Sequence, residues 1–174
     1  MVEVMKKVSK DYVVNAKVAR KKWPNAVVLD VTMEGGMKKL DPSFPIGKIK
    51  VPGIRNKFSC CVSGIWESLK VFEKKKEIDL SFCEEKKAGK KRGCKSYGRL
   101  VGVKLGEEVM EIDKGIEEVF VKGYKKCVKE KFETMIEGLK EESLKRPIVL
   151  LDYNEEDERY PVSHAEILKE LIME

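Results

Sequence analysis

Three groups of residues combine types and spacings that chemistry can use. Ser63, Glu67 and Lys70 recur at i, i+4 and i+7, which puts them on one side of a helix with Trp66 at its border. A carboxylate beside a partly buried indole suits acid/base work, because desolvation favours the protonated form of such a group. The same trio also reads as an ordinary exposed helix face with an i,i+3 ion pair. A second group is the basic run Lys86, Lys87, Lys90, Lys91, Arg92 and Lys95, interleaved with Gly89, Gly93 and Gly98. Glycines let backbone N–H groups approach an anion, lysines add point charges, and Tyr97 is placed to stack on a base. The run matches no Walker or dinucleotide fingerprint, so a solvated loop is the competing reading. The third group is Asp152, Asn154 and Asp157 with nearby His164, just past an apolar run, where polar residues can line a cleft.

Other chemistries find little support. The five cysteines, Cys60, Cys61, Cys83, Cys94 and Cys127, form no C-x-x-C pair, and His164 is the only histidine. No metal site is therefore expected: Asp152, Asp157 and Glu158 lack the spacing of a calcium loop. Cys60, Cys61 and Cys127 read as buried thiols, with a Cys83–Cys94 disulfide left open. There is no G-x-S-x-G and no triad spacing. No cofactor is implied.

Composition bounds the rest. The 174 residues suit one domain, and 42% are apolar, ordinary for a globular protein. No run approaches the ~18 apolar residues of a membrane span. Residues 1–10 lack the apolar core and small-residue cleavage site of a secretory signal, so a cytoplasmic location is expected. Charged residues reach 38%, mostly Lys and Glu, with no Gln and four Asn. That is the pattern of a protein that works hot. A net charge of +6 mildly favours anionic ligands and leaves nucleic acid as a weaker partner class. The oligomeric state stays open.

The elements that must position these groups follow from periodicity. Residues 9–22 read as a helix with Tyr12, Val13, Ala16, Val18 and Ala19 roughly on one side, ended by Trp23-Pro24-Asn25. Residues 26–31 read as a buried strand, and 35–53 as a long loop. Residues 62–72 read as a helix burying Val62, Ile65, Leu69 and Phe72. A short helix is expected within 79–87 and a strand at 100–103. Asp113 reads as the N-cap of a helical pattern reaching residue 142, with Gly123 as its break. Residues 147–153 are the clearest strand, covered on both faces. Ser163-His164-Ala165-Glu166 is a capping box opening a final helix, the reading that competes with any functional role there. Without a regular βαβ rhythm, the fold class expected is α+β, a single domain over 1–174 with several helices around a small sheet.

Four segments carry a resemblance: FPIGKIKVPG (44–53), VSGIWESLKVFE (62–73), RPIVLLDY (146–153) and PVSHA (161–165). They resemble an uncharacterised prokaryotic family over residues 27–171. That family is similar to the NADAR group, which includes the YbiA-like N-glycosidases. The NADAR helix reads v-E-H-y-y-Q-a-x-K-f. Laid on residues 62–70, it matches Trp66 to an aromatic position and Lys70 to the lysine. Its glutamate, histidine and glutamine positions hold Ser63, Gly64 and Glu67.

The resemblance implies a NADAR-like domain that cleaves the N-glycosidic bond of a ribosylaminopyrimidine phosphate or an ADP-ribosyl adduct. Such cleavage passes through an oxocarbenium-like state that a carboxylate stabilises. Glu67, one turn past Ser63, and Asp152 are then the candidate acid/base residues. Trp66, Lys70, Lys90, Lys91, Arg92, Tyr97, Asn154 and His164 are candidates for holding a small phosphorylated ribosyl or nucleotide ligand. Ser63 in place of the glutamate opens the alternative, a nucleotide or ADP-ribose binding module without catalysis.

Overall fold

The computed structural model describes residues 1–157 and 159–174. In chain order the elements are β1 (Val2–Lys6), α1 (Tyr12–Lys22), β2 (Val27–Asp30), β3 (Ile49–Lys50), β4 (Phe58–Ser59), α2 (Val62–Leu69), β5 (Lys70–Phe72), β6 (Leu100–Leu105), β7 (Glu108–Met110), α3 (Ile112–Gly115), α4 (Lys122–Lys131), α5 (Glu133–Lys145), β8 (Ile148–Asp152) and α6 (His164–Met173). The class is α+β, with the described strands divided among three small sheets. The chain divides into two compact units, Met1–Asp41 with Lys125–Glu174, and Pro42–Tyr124.

The first unit is built on a parallel sheet in the order β1-β8-β2. β8 is central and buried at all five residues, as its unbroken apolar run requires. Val2 and Val27 both register with Ile148, so the three carboxyl ends leave the sheet on one edge. Side chains alternate between the faces. Val28, Val149 and Leu151 pack with Ala16, Ala19 and Ala26, and the small alanines let α1 lie close to the sheet. The other face meets α6.

α1 starts at Tyr12 rather than residue 9, because Asp11 is the cap and its carboxylate accepts the Val13 N–H at 2.9 Å. Arg20, Lys21 and Lys22 oppose the dipole at its other end. The expected apolar side is only half right. Ala16 and Ala19 are buried, whereas Tyr12, Val13 and Val18 are exposed, and Asn15 takes the inner position. α6 opens as expected, with Ser163 Oγ accepting the Glu166 N–H at 3.2 Å.

In the second unit α2 is buried at every residue, so the Ser63–Glu67 side is not a solvated face. It ends at Leu69 instead of residue 72. Lys70–Phe72 leaves as a strand that pairs antiparallel with β6, and β6 pairs with β7. Strand pairing here overrides helical periodicity. Gly64 allows the close packing: a Cβ there would lie 2.5 Å from the Phe82 carbonyl oxygen and 2.7 Å from Ser59 Oγ. Residues 79–87 hold two 3-10 turns, Leu80–Cys83 and Glu85–Lys87, not an α-helix. The long helical pattern starts at Ile112, after Glu111, and continues through a π-helical stretch, Ile116–Val121. Gly123 stays helical, and the break falls at Phe132, whose φ of −130° and ψ of 25° leave the helical region. The five cysteines are free thiols, which leaves Cys83 and Cys94 unbridged.

Among the described residues no helix is long and apolar enough to cross a membrane, and no cluster of His, Cys, Asp or Glu is arranged to hold a metal ion. Glu158, which the sequence offers beside Asp152 and Asp157, lies outside the described residues.

Candidate ligand site at the carboxyl edge of the parallel sheet

Ligands of open parallel sheets sit beyond the carboxyl ends of the strands, where turns deliver polar groups from several strands to one place. In the first unit, β1 delivers Lys6 and Lys7, β2 delivers Asp30 and Thr32, and β8 delivers Asp152, Tyr153 and Asn154. Strand alternation sorts them into two clusters. Lys7 and Asp30 fall on the α1 side, and Lys6 and Asp152 on the α6 side.

On the α1 side the Lys7 ammonium is buried and makes three contacts. It lies 3.1 Å from Asp30 Oδ2 and donates to Thr32 Oγ1 at 3.1 Å and to Glu34 Oε2 at 2.9 Å. The Thr32 hydroxyl donates in turn to Asp30 Oδ1 at 2.6 Å. Burial alone pulls the Lys7 pKa down, but the hydrogen bonds and charges of Glu34 and Asp30 outweigh it and leave it raised. The Lys7–Asp11 loop is fixed by Asn15. Its side-chain oxygen accepts the N–H groups of Val8 and Ser9, and its amide donates to the Ser9 and Asp11 carbonyls. An asparagine inside a helix is a poor helix former, and here its bonds to the preceding loop explain it.

On the α6 side Asp152 is saturated. Lys6 Nζ lies 3.2 Å from Oδ2, to which Ser163 Oγ also donates, and the Tyr153 N–H donates to Oδ1 at 2.7 Å. His164 is buried between the sheet and this carboxylate. Nε2 lies 2.9 Å from the Val31 carbonyl, and because a carbonyl only accepts, Nε2 carries a proton. Nδ1 then faces Asp152 Oδ1 at 3.4 Å. Beside this cluster the buried Tyr153 hydroxyl accepts the Met33 N–H at 3.0 Å and donates to Asp41 at 2.7 Å. Tyr160 donates to the other Asp41 oxygen. Burial, followed by the Asp41 charge, pushes the Tyr153 phenol well above its usual range, so it stays a neutral donor.

Two pockets open here and share Tyr153 and Asn154. The larger, about 260 Å³, is lined by Lys7, Lys10, Glu34, Tyr153, Asn154 and Asp157 among others. The smaller, about 80 Å³, holds Lys6, Asp152, Arg159, Tyr160, Ser163 and His164 in its wall. Of the residues singled out in the sequence, Asp152, Asn154 and His164 therefore meet at this edge.

The others belong to the second unit, where Glu67, Lys70 and Arg92 form a buried polar knot. Lys70 Nζ lies 2.5 Å from Glu67 Oε2, which also accepts the Arg92 N–H at 3.1 Å. Burial lowers the Lys70 pKa against the pull of Glu67, and the charges of Lys91 and Arg92 act in the same direction as burial. The Arg92 guanidinium donates to the carbonyls of Glu67, Ser68, Lys70 and Glu77. Trp66 is buried edge-on against Phe120, 6.2 Å between centroids, and offers no open face to a base. Tyr97 leans on Phe72 at 5.5 Å, while Lys90 and Lys91 are exposed. Nucleophilic thiol chemistry finds no support at the vicinal pair, because burial, followed by the neighbouring Cys61, pushes Cys60 up to about 12.

A family model, DUF6939, described as a family of unknown function, matches residues 12–168. The chain belongs to that family. No curated protein and no solved structure matches it. In this DUF6939 chain the matched span takes in α1 with Asn15, Asp30, Glu34, the whole second unit and the Asp152–His164 turn. Lys6, Lys7 and Lys10 precede it. Sequence reasoning passed over Lys7, Lys10, Asn15, Asp30 and Glu34. Two signals were present: Asp30 and Asp152 each end an apolar strand run, and Asn15 stands inside a helical pattern.

Proposed function

We propose that the chain is a binding module for a small phosphorylated ribosyl compound, of the nucleotide or ADP-ribose kind, held at the carboxyl edge of the parallel sheet. One observation carries this reading: three parallel strands end together on a pocket of about 260 Å³ whose wall mixes lysines, carboxylates, an amide and a phenol. Lysines suit phosphate oxygens, and carboxylate and amide groups suit ribose hydroxyls. The volume is just below the ~300–1,000 Å³ of pockets that enclose a whole drug-sized molecule. It suits a sugar-phosphate portion, with the base lying outside it.

Binding is favoured over glycosidic cleavage by the state of the two candidate carboxylates. A general acid or base has to reach the substrate with a free lone pair or proton. Glu67 is buried between Lys70 and the Arg92 N–H. Asp152 is engaged by Lys6, Ser163 and the Tyr153 N–H. NADAR-like hydrolysis remains the second reading, supported by the matched positions Trp66 and Lys70.

Calorimetric titration with ADP-ribose, NAD and a ribosylaminopyrimidine phosphate tests the proposal. Saturable binding of one of them is expected, with weak salt dependence. Replacing Lys10 by Ala is expected to weaken it about two- to fivefold, the scale of one exposed charge contact. Absence of saturable binding contradicts the proposal. Steep loss of affinity with salt would point to a nucleic acid instead. Release of free base that disappears in Glu67→Gln would make the chain a glycosidase.

A further inference from the structure

We propose that the Lys7 ammonium is the anion subsite of this pocket, built for a phosphate group of the ligand, and that the Glu34 carboxylate occupies it when no ligand is bound. The inference rests on the carboxyl edge being the ligand site. The Lys7 side chain is only 6% exposed, and two of its three contacts, Asp30 and Thr32, are buried. The third contact is Glu34, whose side chain is 48% exposed. A buried lysine thus presents one N–H toward the pocket and covers it with a residue that can leave.

The Lys7 hydrogen bond and charge, joined by the charges of Arg159 and Lys10, hold the Glu34 pKa below the usual carboxylate range. Lys10 shares the pocket wall with Lys7 and Glu34. Asp30 also pairs with Lys7, and Asp157 pairs with Arg159 at 3.6 Å, so Lys10 is the cation left for Glu34, or an anion in its place, to balance. A phosphate oxygen accepts the same N–H and brings a second negative charge. The exchange needs only a side-chain movement. The turn backbone is pinned by Gly35 N–H to Thr32 O at 2.9 Å and Met37 N–H to Asp30 O at 3.0 Å. Gly35 has no room for a side chain, since a Cβ would lie 2.2 Å from the Asp30 carbonyl oxygen.

The test is titration of the wild-type chain, Glu34→Ala and Glu34→Gln with ribose 5-phosphate, inorganic phosphate, ADP-ribose and, as control, ribose. Thermal melting verifies that the variants fold. Both variants are expected to bind the two phosphates about fivefold tighter than wild type, the factor set by releasing one part-exposed ion pair. Ribose affinity should not change. Unchanged or weaker phosphate binding in the variants overturns the subsite, and weaker binding would make Glu34 a ligand contact. A wild-type chain that binds ADP-ribose while the variants gain nothing rejects the subsite and leaves the binding module standing. Failure of every chain to bind any of these compounds rejects both.

Discussion

Lys7→Met is expected to destabilise the protein by about 3–5 kcal/mol, the cost of removing one partner from a buried ion pair. Methionine matches the lysine stem in length, so packing changes little, and the loss comes from Asp30. That carboxylate is buried and would keep only the Thr32 hydroxyl and N–H as donors. Urea unfolding measures the change, and Lys6→Met is its control. Lys6 also contacts a buried carboxylate, but its side chain is 41% exposed, so its loss should cost under ~1 kcal/mol. Adding Asp30→Asn to Lys7→Met should restore part of the stability, because no buried charge then lacks a partner. A change below ~1 kcal/mol in Lys7→Met would contradict this account of the site's floor.

The pH dependence of that pair follows from its sign. Burial opposes the charge on Lys7, yet Glu34 and Asp30 raise its pKa above the ordinary lysine value. A raised folded-state pKa gives stability that is fully present below the unfolded value and lost as pH rises through the folded one. The contribution of Lys7 should therefore be flat through neutral pH and decline only in strongly alkaline solution.

Arg92→Met is expected to cost a similar ~3–5 kcal/mol, for a different reason. Its guanidinium donates to the carbonyls of Glu67 and Ser68 in the last turn of α2, of Lys70 just past it, and of Glu77. Helix ends leave such carbonyls without intrahelical donors, and buried ones need a partner. Lysine should not rescue the variant, because one ammonium cannot reproduce the planar fork. Denaturant unfolding reads the loss, and ligand affinity per folded molecule should be unchanged. Wild-type stability with lost phosphate binding would instead restore the basic run as a ligand loop.

These two residues show what the sequence made legible. Arg92 was visible as part of a basic run, but its neighbours Lys90 and Lys91 are exposed while it is buried, and only the fold separates them. Lys7 drew no notice, because β1 is a short run with alternating polar residues whose partners in the central strand lie 146 residues away in sequence. Parallel pairing of that kind leaves no local signal. β8 was legible for the opposite reason: a strand buried on both faces must be continuously apolar. The polar cluster after it was legible too, since Asp152, Asn154 and His164 follow that run directly. α2 was half legible. Its apolar stripe fixed the helix, but the burial of Glu67 depends on Lys70 and the Arg92 backbone, which periodicity does not register. The exposed side of α1 shows the same limit: the spacing placed Ala16 and Ala19 inward correctly, but does not reveal that Asn15 joins them while Tyr12, Val13 and Val18 face solvent.

The most direct test of the ligand site is amide chemical-shift mapping of the isotope-labelled chain during titration with ADP-ribose and ribose 5-phosphate. The account predicts saturable shifts at Lys7 to Lys10, Glu34 and Tyr153 to Asp157. Shifts confined to the Ser63–Lys70 helix end and the Gly89–Tyr97 run, with the sheet edge silent, would contradict it and move the site to the second unit.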